Sequence, residues 1–190
     1  CSSDLAAFAV LPDGTLMQRA ATALAVSCAR LLADVRGGVV GARIVLLVGS
    51  GNNGADALYA GAQLAGRGAR VDAVACGERL HEAATAALLH AGGRLADLGA
   101  LAAADLVVDG ILGIGGRGGL TGRAEQAADA IDDCLVVAVD VPSGVDADSG
   151  AVVGTCIAAD VTVTFGAVKA GLVTGPGRAR SGAVRLDRKS

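Results

Sequence analysis

Apolar positions follow two rhythms along the chain. From residue 15 to 35 the run TLMQRAATALAVSCARLLADV places Leu16, Ala20, Ala23 or Leu24, Ser27 and Leu31 three or four residues apart. That spacing puts them on one face of a helix, so it predicts a long amphipathic helix, introduced by the LPDGT turn. A second rhythm of short, β-branched runs predicts buried strands at ARIVLLVGS (42–50), ARVDAVACG (69–77), ADLVVDGILG (104–113) and CLVVAVDVPSG (134–144). DVTVTFG (160–166) and GAVRLD (182–187) read as the last strands. Helices are expected between them at 55–68, at 79–93 and at about 123–132.

Strands alternating with helices through short loops specify a mostly parallel sheet covered on both faces. The expected fold is an α/β/α sandwich forming one domain over residues 1–190, with the first helix at about 15–35 and the core at about 42–187. No internal repeat or linker interrupts it. A length of 190 residues is enough for one domain to bury most of what its unfolded chain exposes.

Composition narrows this further. Aromatic residues make up 2% of the chain while 53% is hydrophobic, so the core is built from Val, Leu, Ile and Ala. The 29 glycines punctuate ordered apolar runs, which points to tight loops and close backbone approach. With 16 Lys and Arg against 19 Asp and Glu, and no basic stripe interleaved with aromatics, nothing suggests nucleic-acid binding. The apolar runs are too short to span a bilayer, and no signal-peptide pattern is visible, so a cytoplasmic protein is expected. Cys1, Cys28, Cys76, Cys134 and Cys156 are scattered without a CxxC pair, which reads as reduced thiols.

Ligands in open parallel sheets bind beyond the carboxyl ends of the strands. Three loops there are rich in chemistry, and each carries an aspartate: Gly49–Asp56, Asp109–Gly119 and Asp140–Asp148. The first contains a literal GxGxxG at Gly49, Gly51 and Gly54, the fingerprint of a dinucleotide site, with Glu78 at a tolerable distance for a ribose. Its side chains argue otherwise. Asp56, expected in the first helical turn, would repel a phosphate, and Asn52 and Asn53 offer oxygens suited to a hard cation or to sugar hydroxyls. The second loop offers a run of amides around Arg117 that can cradle phosphate. In the third, Asp140 at a strand tip is expected to be partly desolvated and suited to acid/base work, or else to cap the Pro142–Ser143–Gly144 turn. Asp146 and Asp148 read as solvated turn residues, and Lys169 either points into the same crevice or is a surface charge.

These motifs together resemble the YjeF N-terminal domain family, whose enzyme members are NAD(P)H-hydrate epimerases. The resemblance rests on GSGNNGAD (49–56), the strand end VVD (107–109) with its glycine-rich loop, VDVPSGVD (139–146), TVTFGAVKAGL (162–172) and the helix carrying Leu16, Met17, Ala20 and Ala21. It covers nearly the whole chain. It implies a three-layer, Rossmann-like α/β/α sandwich that converts (R)- to (S)-NAD(P)HX, hydrated NADH and NADPH, for a fused or separate dehydratase. It also implies a potassium ion held at Asn53, Asp109 and Ser143. The substrate is expected at Asn52, Asn53, Gly54, Ala55 and Asp56, at Gly113, Ile114, Gly115, Gly116, Arg117, Gly118 and Gly119, and at Asp140. Asp140 and Lys169 are the expected catalytic pair, and a homodimer through the first helix is the family habit. Ala55 and Ala57 stand where the family has glycine, so their methyls either tighten the loop or obstruct the nucleotide.

Two other functional classes compete with the epimerase. A non-catalytic nucleotide-binding or dimerisation scaffold of the same fold would have lost the site carboxylates, whereas Asp56, Asp109 and Asp140 are all present. A nicotinamide-dependent oxidoreductase would need a catalytic His or Tyr–Lys set. Tyr59 has no Lys four residues on, and His81 and His90 fall on a helix away from the loops.

Overall fold

The computed structural model describes residues 15–116 and 118–187. Seven strands form one sheet: β1 (Arg43–Val48), β2 (Arg70–Ala75), β3 (Arg94–Ala96), β4 (Leu106–Gly110), β5 (Leu135–Val139), β6 (Val161–Phe165) and β7 (Ala183–Asp187). Their order is β3-β2-β1-β4-β5-β6-β7, and every neighbouring pair is parallel. Among the described residues the α-helices are α1 (Thr15–Arg36), α2 (Asn52–Ala65), α3 (Glu82–His90), α4 (Gly122–Asp129) and α5 (Gly175–Ser181).

Alternation along the strands builds two cores. Ile44, Leu46 and Val48 of β1 join Val108, Val137 and Val163 beneath α1, α2 and α3. Val45 and Leu47 point the other way, with Val107 and Val136, against Leu101 and Ala124 and Ala127 of α4. Leu24, Ala25, Cys28 and Leu32 give α1 its buried face. This is the three-layer α/β/α sandwich that the alternation of elements implies. A smaller apolar cluster of Val141, Val145, Ala147 and Leu172 packs on Val184 of β7.

Several boundaries move. The strand expected over 134–144 stops at Val139 because Asp140 adopts φ +68°, a left-handed conformation in which the ladder cannot continue. The strand expected over 104–113 ends at Gly110, and the helix expected from 79 begins at Glu82, capped by the ring of His81, which accepts from the N–H of Ala84. The helix expected from 55 begins at Asn52, with Gly51 as its N-cap. Four described elements fall outside the sequence pattern: β3, α5 and the 3₁₀ turns Leu98–Ala103 and Ala170–Leu172.

Candidate active site

The strand order reverses direction between β1 and β4, which is where open α/β sheets bind ligands. The three aspartate-bearing loops meet at that point because β1, β4 and β5 are consecutive neighbours. Two glycines let the backbone crowd there. A Cβ on Gly49 would lie 1.8 Å from the carbonyl oxygen of Ile111, and one on Gly54 would lie 2.2 Å from that of Gly49. Gly51 meets nothing, so of the three fingerprint glycines it alone faces open space.

The loops enclose a cleft of about 1200 Å³. That exceeds the roughly 300–1,000 Å³ of a pocket for a drug-sized molecule and suits a dinucleotide. Its walls include Gly49–Asn53 and Asp56 after β1, Cys76–Arg79 after β2, Ile111–Gly116 and Gly119–Thr121 after β4, and Asp140 after β5. Leu16, Met17 and Ala20 of α1 close one side, and Phe165 and Gly166 another.

Starting α2 at Asn52 moves Asp56 out of the first helical turn, contrary to the sequence expectation, and that turn carries no acid. The helix N-terminus at Gly51 is thus open to an anion. Asp56 is only 7% exposed, and its Oδ1 has no hydrogen-bond partner. Burial, with the charge of Asp140 adding to it, pushes its carboxyl up to about 7.

Asp140 is held at the tip of β5 by its own strained turn. The N–H of Val141 donates back to the carbonyl of Val139 at 2.8 Å, closing a three-residue turn around the positive φ. The carboxylate accepts from Thr164 Oγ1 at 2.9 Å and from the N–H of Phe165 at 3.3 Å, and forms an ion pair with Lys169. Lys169 also donates to Thr164 Oγ1 at 3.1 Å and to the carbonyl of Phe165 at 2.9 Å. It is therefore part of the site, behind Asp140, and not a surface charge.

Asp109 and Ser143 lie beneath the cleft floor. Asp109 is fully buried, and its three hydrogen bonds come from the hydroxyl and N–H of Ser143 and the N–H of Ile111. Burial outweighs these bonds and holds its carboxyl up at about 6. The amide nitrogen of Asn53 donates to the carbonyls of Leu112 at 3.2 Å and Val139 at 2.6 Å, and the N–H of Leu112 donates to Ser143 Oγ at 2.9 Å. Asn53 and Ser143 thus meet at Leu112, and Ser143 in turn holds Asp109.

Gly113, Ile114, Gly115, Gly116 and Gly119 line the cleft with Asn52, Asn53, Asp56 and Asp140. Gly54, Ala55 and Gly118 do not. Ala55 and Ala57 are fully buried in the core under α1, so their methyls neither tighten nor obstruct the cleft. Arg117 lies outside the described residues. Asp146 is half-buried and accepts from both Ser149 Oγ and the N–H groups of Asp148 and Ser149, which fixes its turn. The wall contributed by Cys76–Arg79 went largely unread in the sequence, although the GER after β2 marked a loop at the same end of the sheet. Burial raises the Cys76 thiol to about 11, which keeps it protonated.

Comparison with known proteins agrees with this geometry. Residues 13–171 match the family model described as YjeF-related protein N-terminus. The chain belongs to the YjeF N-terminal family. Within it, the chain is 49% identical over 164 residues to the bifunctional NAD(P)H-hydrate repair enzyme Nnr of Mycobacterium tuberculosis, covering 85% of this chain and 34% of that protein. It is 44% identical over 174 residues to the NAD(P)H-hydrate epimerase of Microbacterium testaceum, covering 84% of this chain and 68% of that one. The chain thus spans about a third of the length of the bifunctional relatives. Among solved structures, yeast ynu0 superposes with a TM-score of 0.74 at 20% identity, over 90% of this chain and 76% of that one, and shares this fold.

Proposed function

We propose that this YjeF N-terminal domain interconverts (R)- and (S)-NAD(P)HX, the epimerase step in repair of hydrated nicotinamide nucleotides. The observation that carries the reading is the convergence of Asp56 and the Asp140–Lys169 pair on one dinucleotide-sized cleft at the switch point of the sheet. The 44% identity to a protein named NAD(P)H-hydrate epimerase supports the same substrate class.

Each part of the cleft has a task in that reaction. The open N-terminus of α2 and the amides of Gly113, Ile114, Gly115 and Gly119 offer donors to the pyrophosphate. Apolar groups of Leu16, Met17, Leu112 and Phe165 shield the hydrated ring from bulk water. Asp140, fixed by Thr164, Phe165 and Lys169, presents a carboxylate that holds or moves the proton of the ring hydroxyl.

The donor set around Asp109 suits potassium. It consists of the carboxylate, the Ser143 hydroxyl, the Asn53 side chain and the carbonyls of Leu112 and Val139, all oxygen-bearing and mostly neutral. Asp109 takes its hydrogen bonds only from neutral groups, so a cation would supply the charge it lacks. Potassium bound there would offset Asp109 and the substrate phosphates electrostatically. The proposal extends to a cytoplasmic homodimer packed through α1, whose outward residues Ala23 and Val26 line a groove against β6 and β7, and to a fused or separate dehydratase that takes the (S) form.

Asp140→Asn tests the assignment. It should abolish R-to-S conversion of NADHX while NADPH, read by its fluorescence, still binds. Loss of binding together with activity would contradict the role given to Asp140.

A further inference from the structure

We propose that Asp56 is a second proton carrier of the site: a neutral carboxyl that protonates the ring hydroxyl as it leaves, working with Asp140 across the same cleft. This rests on the epimerase reading above and adds a catalytic residue to it. Asp56 lines the cleft, is 93% buried, and is the one described residue with a buried side-chain oxygen that has no hydrogen-bond partner. Buried polar atoms are almost always satisfied, so an orphan oxygen in a cleft wall leaves a bonding position for a bound molecule to fill. An ionised carboxylate in that position would leave a charged oxygen desolvated beside Asp140, and the neutral acid avoids this. Its raised titration point, about 7, agrees with the geometry.

The two carboxyls differ in the way the reaction requires. Asp140 is tied to the Lys169 ammonium and to two further donors, Thr164 Oγ1 and the Phe165 N–H. Asp56 has no such cation beside it, and its burial favours the protonated form. One carboxyl with an orphan oxygen and one already held by three donors are placed to divide the roles of proton donor and acceptor.

Epimerisation then balances without an oxidant or reductant. Asp56 gives its proton to the hydroxyl, and the C–O bond breaks with its electron pair leaving on water. The lone pair of the adjacent ring nitrogen forms the C=N bond of a cationic iminium ring. Water adds to the opposite face, the C–O bond re-forms, and the π electrons return to nitrogen. The proton that this water sheds passes to Asp140 and crosses to Asp56, restoring both groups.

The test uses pure (R)-NADHX with the unaltered chain, Asp56→Asn and Asp56→Glu, from about pH 5.5 to 9, after subtraction of the spontaneous rate. The groups facing this site are Asp140 at the end of β5 with Lys169 behind it, Asp109 under the floor, and Cys76, Glu78 and Arg79 across the cleft. The unaltered chain should lose kcat as pH rises through about 7, the value for Asp56. Asp56→Asn should lower kcat by about 10²-fold or more at every pH, with KM changed by less than about threefold, and erase that limb of the profile. Asp56→Glu should restore part of the rate and the limb. An Asn variant that keeps more than about a tenth of the rate, or an unaltered chain whose rate is flat across pH 7, overturns the inference while epimerisation itself stands. The flat profile decides the matter even if the variants do not fold. If the unaltered chain does not accelerate conversion at all, the epimerase reading fails and takes this inference with it.

Discussion

The Ser143 hydroxyl donates to Asp109 Oδ1 at 2.6 Å, and the Ser143 N–H donates to Oδ2 at 2.8 Å. One residue thereby clasps both oxygens of a fully buried carboxylate and ties the turn after β5 to the end of β4. The clasp also supplies the acceptor for the Leu112 N–H, so it holds the glycine-rich loop where it enters the cleft. Ser143→Ala should therefore cost about 1–3 kcal/mol, since it removes one bond to a charged group and orphans an amide. Urea denaturation measures it, and a loss below roughly 0.5 kcal/mol, the scale of ordinary surface changes, would show that the clasp is not a support.

Asp56 makes stability fall with rising pH. Its folded-state value of about 7 lies above the ordinary 3.8, so the folded chain holds this proton longer than the unfolded chain does. Stability from that difference is full below about pH 4 and is lost as pH rises through about 7. Asp56→Asn carries no such charge. Thermal melts should show it more stable than the unaltered chain at pH 8 and little different at pH 4. Equal pH dependence for the two proteins would mean that Asp56 is not desolvated as described.

Glycines of the fingerprint should divide sharply. Gly49→Ala places a methyl 1.8 Å from the Ile111 carbonyl and Gly54→Ala places one 2.2 Å from the Gly49 carbonyl, and backbone cannot swing aside. Each should destabilise by several kcal/mol or prevent folding, at about the upper end for point substitutions. Gly51→Ala meets no atom within 4 Å and should melt with the unaltered chain while weakening nucleotide binding. Melting curves and NADPH titrations of the three variants decide it, and a well-folded Gly49→Ala would refute the close approach.

These contrasts show what the sequence made legible. The parallel sheet followed from runs such as RIVLLV and LVVAV, whose composition admits little else, and the three aspartate loops followed from the glycines that end them. The start of α2 did not, because Asn and Gly are weak helix formers and only the close packing of Gly54 on Gly49 makes them helical. β3 is three residues long and half-exposed, and α5 is written GPGRARS, so neither carries a period to read. The partner of Lys169 was equally invisible, since Asp140 lies 29 residues away and the left-handed turn that aims it is a tertiary feature.

That pairing gives its own prediction. Lys169→Met leaves the buried Asp140 with Thr164 Oγ1 and the Phe165 N–H as its remaining donors. The rate of NADHX epimerisation should fall by about 10²-fold or more with nucleotide affinity nearly unchanged. A variant within about threefold of the original rate would reduce Lys169 to a packing residue.

Potassium should act through Asp109. Because only the ionised carboxylate attracts the cation and its value lies near about 6, stabilisation by KCl over NaCl should be larger at pH 8 than at pH 5. Melting in the two salts at both pH values reads this directly, and the same shift in both salts would remove the ion from the account.

The central claim is epimerisation, and the most direct measurement follows pure (R)-NADHX by chromatography with the unaltered chain in potassium buffer, with sodium as control. Conversion to the (S) form well above the spontaneous rate, weakened in sodium, is the predicted result. A time course no faster than the blank in either salt would contradict the claim and leave the chain a scaffold of the same fold.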